Sequence, residues 1–245
     1  MDLRQLFKWT GVCSVILAVI VLVYYVIAVA ANGFMVLSTA PLTADQIIQL
    51  AQASGNHVNA GLDLVTYFFW IPTLVGLFAI LRERAPGRAY VGGAFAAFAV
   101  ACFAIASILA LVALAQAQGT VTAALKERLE TLYAVYFPLT ALGTVAVALW
   151  SLLWGLALRS QPGLKRIIGY LFLVWVGLAI LMTVVSVAQL DLLANVGFLI
   201  SSLVSAVLWL SVGALLSEAS KKAEGRHTGA PATLTESEQM ALPRG

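Results

Sequence analysis

Six long apolar runs, separated by short polar connections, set the pattern of this chain; they lie near residues 9–31, 61–81, 90–115, 132–158, 167–188 and 192–216. A helix needs roughly twenty residues to cross a hydrocarbon core of about 30 Å, and each run meets that length. The fold expected is all-α: a polytopic membrane protein with six transmembrane helices and a short amphipathic helix in the first outer loop. Two parts follow, a six-helix transmembrane domain over 1–217 and a disordered cytoplasmic tail over 218–245 rich in charge, Gly, Thr and Pro. The first run follows Arg4 and Lys8 and ends in Ala28, Val29 and Ala30, which imitates a leader cleavage site. Its apolar core is longer than the roughly 7–15 residues of a secretory signal, so it is expected to stay as a helix.

The polar connections carry their own patterns. Between Asn32 and Ala60, Thr43 and Gln46 have the spacing of a capping box, and Ala44, Ile47, Ile48 and Ala51 recur at helical spacing before Gly55 offers a stop. Asp45, Gln49 and Gln52 occupy the other faces, so this helix either lies in the headgroup layer or folds over the bundle, as a cap or as a moving lid. The stretch from Gln116 to Thr131, with Lys126, Glu127, Arg128 and Glu130, reads as a solvated outer turn. Two inner connections share a pattern: a helix end at Arg82 or Arg159, then a Pro-Gly turn at 86–87 or 162–163 with cations beside it. The last two runs have almost no loop between them and must be antiparallel neighbours.

Charge supplies the orientation. Of the fourteen Lys and Arg, only Lys126 and Arg128 fall in connections opposite the rest. The positive-inside rule then places both termini in the cytoplasm. Hydrophobic residues make up 62% of the chain and charged residues 10%, against roughly 45–50% and about 25% in soluble domains, which excludes a soluble fold. The net charge of +3 is explained by the inside loops, and no basic face for nucleic acid is expected. Cys13 and Cys102 lie inside apolar runs and read as inert core thiols.

Polar side chains within the runs line up in stripes. In the second run, Asp63, Thr66, Tyr67 and Trp70 fall at i, i+3, i+4 and i+7, and Pro72 interrupts the helix one turn deeper. The fourth run places Tyr133, Tyr136, Thr140 and Thr144 on one face, with Pro138 between them. The sixth carries Asp191, Asn195, Phe198, Ser202, Ser205 and Trp209 on one face. Polar groups in hydrocarbon turn toward other helices or a wet cavity, so these stripes are expected to converge. The outer halves would then form an outward-opening pocket for a small amphipathic or cationic ligand or a lipid headgroup. Its lining residues are Asp63, Tyr67, Trp70, His57, Tyr133, Tyr136, Asp191 and Asn195, with Tyr24 nearby and Asp63 as the polar anchor. A structural alternative has Asp63 and Asp191 only capping helix starts. The third run is the most uniform, with no charged residue from Tyr90 to Gly119, and Gly93, Ala97 and Ala101 form a small-residue ridge suited to close packing, with a protein partner or a second copy.

Enzyme signatures are missing: the chain has no HExxH, no Gly-x-Ser-x-Gly, no phosphate loop and no Cys-x-x-Cys. His57 and His227 are the only histidines and no lysine lies within a run, which excludes a bis-histidine haem and a retinal Schiff base. No cofactor, metal or catalytic residue is expected, since His57 with Asp63 lacks further strong ligands. The segment from Trp70 to Gly93, WIPTLVGLFAILRERAPGRAYVGG, preceded by a long outer loop with a short helix, resembles the bacterial six-span family called domain of unknown function 4386. That resemblance implies a bacterial inner-membrane protein and brings no activity. The leading expectation is a non-enzymatic membrane protein that binds, and in one version carries, a small amphipathic ligand. The alternatives are an accessory subunit of a larger membrane complex and an intramembrane enzyme using Asp63 and His57 as acid and base.

Overall fold

The computed structural model describes residues 2–32, 43–52, 54–118, 121–187 and 191–227. Among them there is no strand, and six of the seven helices are long and apolar enough to cross a membrane. In chain order the helices are α1 (Leu3–Asn32), α2 (Ala44–Gln52), α3 (Ser54–Arg82), α4 (Pro86–Ala117), α5 (Ala123–Arg159), α6 (Leu164–Val187) and α7 (Asp191–His227). The spanning helices form a ring in sequence order: α1 packs on α3, α3 on α4, α4 on α5, α5 on α6, α6 on α7, and α7 returns to α1. Neighbours around the ring are therefore consecutive spans, apart from the one closing contact.

One end of the ring holds the start of α1, the α3–α4 and α5–α6 turns and the end of α7. Lys165 lies within electrostatic reach of Arg84, Glu83, Lys222 and Glu218 there, so the basic connections gather in space as well as in sequence. The two Pro-Gly pairs serve different purposes. Pro86 is the first residue of α4, where the missing N–H costs nothing, and Gly87 is already helical. Only Pro162 and Gly163 make a turn, with Gly163 at φ +70° in the left-handed region.

Several helices run past the apolar runs. α5 begins at Ala123, capped by the Thr122 side chain accepting from the Leu125 N–H, so most of the expected outer turn is helix. α7 continues through residues 218–227, where a disordered tail was expected. Lys222 pairs with Glu218 one turn away, Arg4 pairs with Glu224, and Ser220 donates to the Arg4 carbonyl. Docking onto α1 keeps this polar segment helical; residues 228–245 lie outside the described set.

The interior is aromatic. Trp150, Trp154, Trp209 and Phe172 are fully buried, and Trp70 joins them, with ring centroids 6.5 Å from Trp150 and 6.0 Å from Trp209. Most of these rings meet edge to face, the arrangement the π quadrupole favours. Small residues let the helix backbones approach around this core. A methyl on Gly169 would collide with the backbone of Arg159, and one on Gly92 with the Trp154 indole. The outer surface is apolar: Phe68, Trp9 and Val184 are all more than half exposed, as a lipid-facing coat requires.

α2 rests on the end opposite the basic turns. Ala44, Ile47 and Ile48 are buried against Ala113, Leu114 and Ala117 of α4 and Leu129 of α5. The capping box forms: the Thr43 N–H donates to Gln46 Oε1 at 2.8 Å, and the Gln46 N–H donates to Thr43 Oγ1 at 3.4 Å. Asp45 reaches Lys126 at 2.6 Å. Of the two placements open to this helix, the structure has it folded over the bundle.

Candidate functional site

Asp63 lies in the third turn of α3, beyond the aromatic core and toward the end covered by α2. Its side chain is half-buried. Three phenols fall within its electrostatic reach: Tyr24 from α1, Tyr67 one turn further along α3, and Tyr136 from α5. Tyr133 stacks obliquely on Tyr136 with ring centroids 5.1 Å apart. From α4, the buried Ser107 hydroxyl lies against the Tyr67 phenol, and the Phe103 ring stacks parallel to Tyr67 at 6.1 Å. Four helices thus contribute to one polar cluster around a single carboxylate.

Local rules explain these placements. Asp63 and Tyr67 are four residues apart and so stand above one another on one helical face. Thr66, on the same stripe, turns its hydroxyl back to the Leu62 carbonyl at 2.7 Å and satisfies itself within the helix. Pro72 lies inside α3 without ending it, and next to it Thr73 donates to the Phe69 carbonyl at 2.8 Å.

The structure divides the residues expected to line a pocket into three groups. Asp63, Tyr67, Tyr133 and Tyr136 come together, with Tyr24. Trp70 sits one turn deeper as part of the core, only 9% exposed, with its ring edge against Tyr67 at 5.9 Å. His57, Asp191 and Asn195 lie on α3 and α7 at positions whose side chains are outside the described set. Lower on α7, Ser202, Ser205 and Trp209 are buried, so that part of the last stripe faces inward. Ser107 and Phe103 were not singled out from the sequence. The usable signal is Ser107 itself, the one serine in the run 90–115, which has no threonine and no charge.

Chemically, the cluster offers one acceptor-only carboxylate and several phenols that both donate and accept. Among the described residues no ion pair reaches Asp63, and no group of three His, Cys, Asp or Glu could hold a metal ion. A carboxylate with aromatic faces around it suits a cation with apolar substituents, which gains both charge pairing and cation–π contact. A separate groove of about 590 Å³ runs between α3 and α4, nearer the turn that joins them, lined by apolar residues with the core residue Trp154 among them, and none of the cluster's side chains borders it.

The arrangement is that of a polytopic helical membrane protein with a half-buried polar cluster near one membrane face. Comparison of the chain with protein-family models, with curated proteins and with solved structures finds no match.

Proposed function

We propose that this is a non-enzymatic membrane protein that binds a small cationic amphipathic molecule at the end of the bundle opposite its basic turns. The observation that carries the reading is Asp63: a half-buried carboxylate, ringed by phenols from three helices, with no ion-pair partner among the described residues. Ionisable groups held within membrane helices are costly and mark ligand or ion paths. A ligand cation supplies the missing counter-charge, while Tyr24, Tyr67, Tyr133 and Tyr136 supply aromatic contact and hydrogen bonds. The charge distribution along the loops supports a plasma-membrane protein with both termini in the cytoplasm and the cluster facing outward. The resemblance of residues 70–93 to a bacterial six-span family supports the bacterial inner membrane.

Binding of tetraphenylphosphonium to the purified full-length protein tests this by equilibrium dialysis. Asp63→Asn keeps the shape but removes the charge, and is expected to weaken binding by at least about tenfold, the loss typical of a partly desolvated ion pair. Asp63→Glu is expected to retain most of it. Equal affinity in the native protein and Asp63→Asn would end the anchor role.

A further inference from the structure

The groove between α3 and α4 has a floor and two walls, and the α3 stripe that lines it runs on toward a group of arginines. Val75 and Phe78 form the α3 wall, and Gly93, Ala97, Ala101 and Ala104 leave the α4 wall low, with the fully buried Trp154 at the base. Ile71, Val75 and Phe78 stand at i, i+4 and i+7 on α3, and the next position on that stripe is Arg82, exposed at the last residue of the helix. Arg84 follows in the connection and Arg88 in the first turn of α4, against Glu83 alone. Among the described residues, none of these three arginines is in an ion pair.

We propose that this groove holds one acyl chain of an anionic phospholipid, with the headgroup phosphate bound by Arg82. The walls extend from Tyr90 to Ala104, about 21 Å at 1.5 Å per residue, enough to cross one leaflet of about 15 Å. Along α4 the wall is built mainly from Gly93, Ala97, Ala101 and Ala104, none larger than alanine, so the space beside it is a narrow channel running along the helix axis. A hydrocarbon chain can lie along such a channel, and a second copy of the chain is the competing occupant that the test below distinguishes. At the Arg82 end, a guanidinium matches phosphate through paired N–H donors, and its charge favours a lipid whose phosphate is not neutralised by a choline ammonium, as basic recesses between membrane helices do for anionic headgroups. The site is distinct from the Asp63 cluster and does not depend on it.

Native mass spectrometry of the full-length protein, equilibrated in detergent with equal amounts of phosphatidylglycerol and phosphatidylcholine, tests the proposal. Phosphatidylglycerol adducts should exceed phosphatidylcholine adducts by about fivefold, the selectivity one arginine near the headgroup supplies. Arg82→Gln should bring that ratio toward one, and Ala97→Phe, which fills the groove, should reduce adducts of both lipids. Asp63→Asn should leave the ratio unchanged. Arg82 is exposed, so its variant carries the test even if Ala97→Phe does not fold. Equal occupancy by the two lipids, or a preference that survives Arg82→Gln, would overturn the assignment. So would a native dimer that Ala97→Phe converts to monomer, which would give the groove to a second copy of the chain.

Discussion

Ser14 sits where α1 meets α7 and donates its hydroxyl proton to the Trp209 carbonyl at 2.6 Å. Ser151 is equally buried, on α5, yet among the described residues its Oγ has no hydrogen-bond partner. Replacing each by Ala should therefore have opposite results. Ser14→Ala is expected to lose about 0.6–1.7 kcal/mol, the range seen for side-chain hydrogen bonds between membrane helices. Ser151→Ala removes an unsatisfied hydroxyl and is expected to be neutral or more stable by up to about 1 kcal/mol. Unfolding of both variants in mixed micelles checks the pair. At this scale the sequence was partly legible. Asp63 and Tyr67 could be placed on one face because helical spacing is strict. Which faces meet across helices has no periodic signature, so Ser107 and Phe103 went unseen. For the same reason Trp70, on the polar stripe by spacing, packs among the core indoles.

The short helix α2 shows how one element is held by unequal contacts. Ile47 is completely buried against α4 and α5, whereas the Asp45–Lys126 pair is largely exposed. An exposed ion pair contributes about 0–1 kcal/mol, and truncating a buried isoleucine costs about 2–5 kcal/mol. Ile47→Ala should thus accelerate amide exchange across Ala44–Gln52 far more than Asp45→Asn does; similar rates in the two variants would mean that charge holds the helix down. The existence of α2 was readable from its capping box and apolar spacing, but its docking place was not. Helix ends were the least legible feature. Hydropathy marks where a chain enters hydrocarbon, while Thr122 decides where α5 starts and the Arg4–Glu224 contact holds α7 against α1 beyond the last apolar run.

For the whole molecule, the span count followed from six runs of sufficient length, and the gathering of cations at one end from their alternation between connections. Orientation in the membrane is a prediction of the same charges. With single cysteines in place of Asp45 and Ser160, a membrane-impermeant maleimide should label the first in intact cells and the second only after permeabilisation. The reverse result would invert the topology. The native Cys13 and Cys102 sit within α1 and α4, and Cys102 is buried, so background labelling should be slow. Ring closure was not legible, because nothing in the spacing of α1 or α7 names the other as its neighbour. That closure has a consequence for biosynthesis. Every other junction joins spans made one after the other, so each new helix finds its neighbour already waiting in the bilayer. α1 must keep one flank against lipid, with Ser14 unmatched, until α7 has left the ribosome. The spans therefore form an unsealed arc until α7 is made, and it is α7 that turns the arc into a closed bundle.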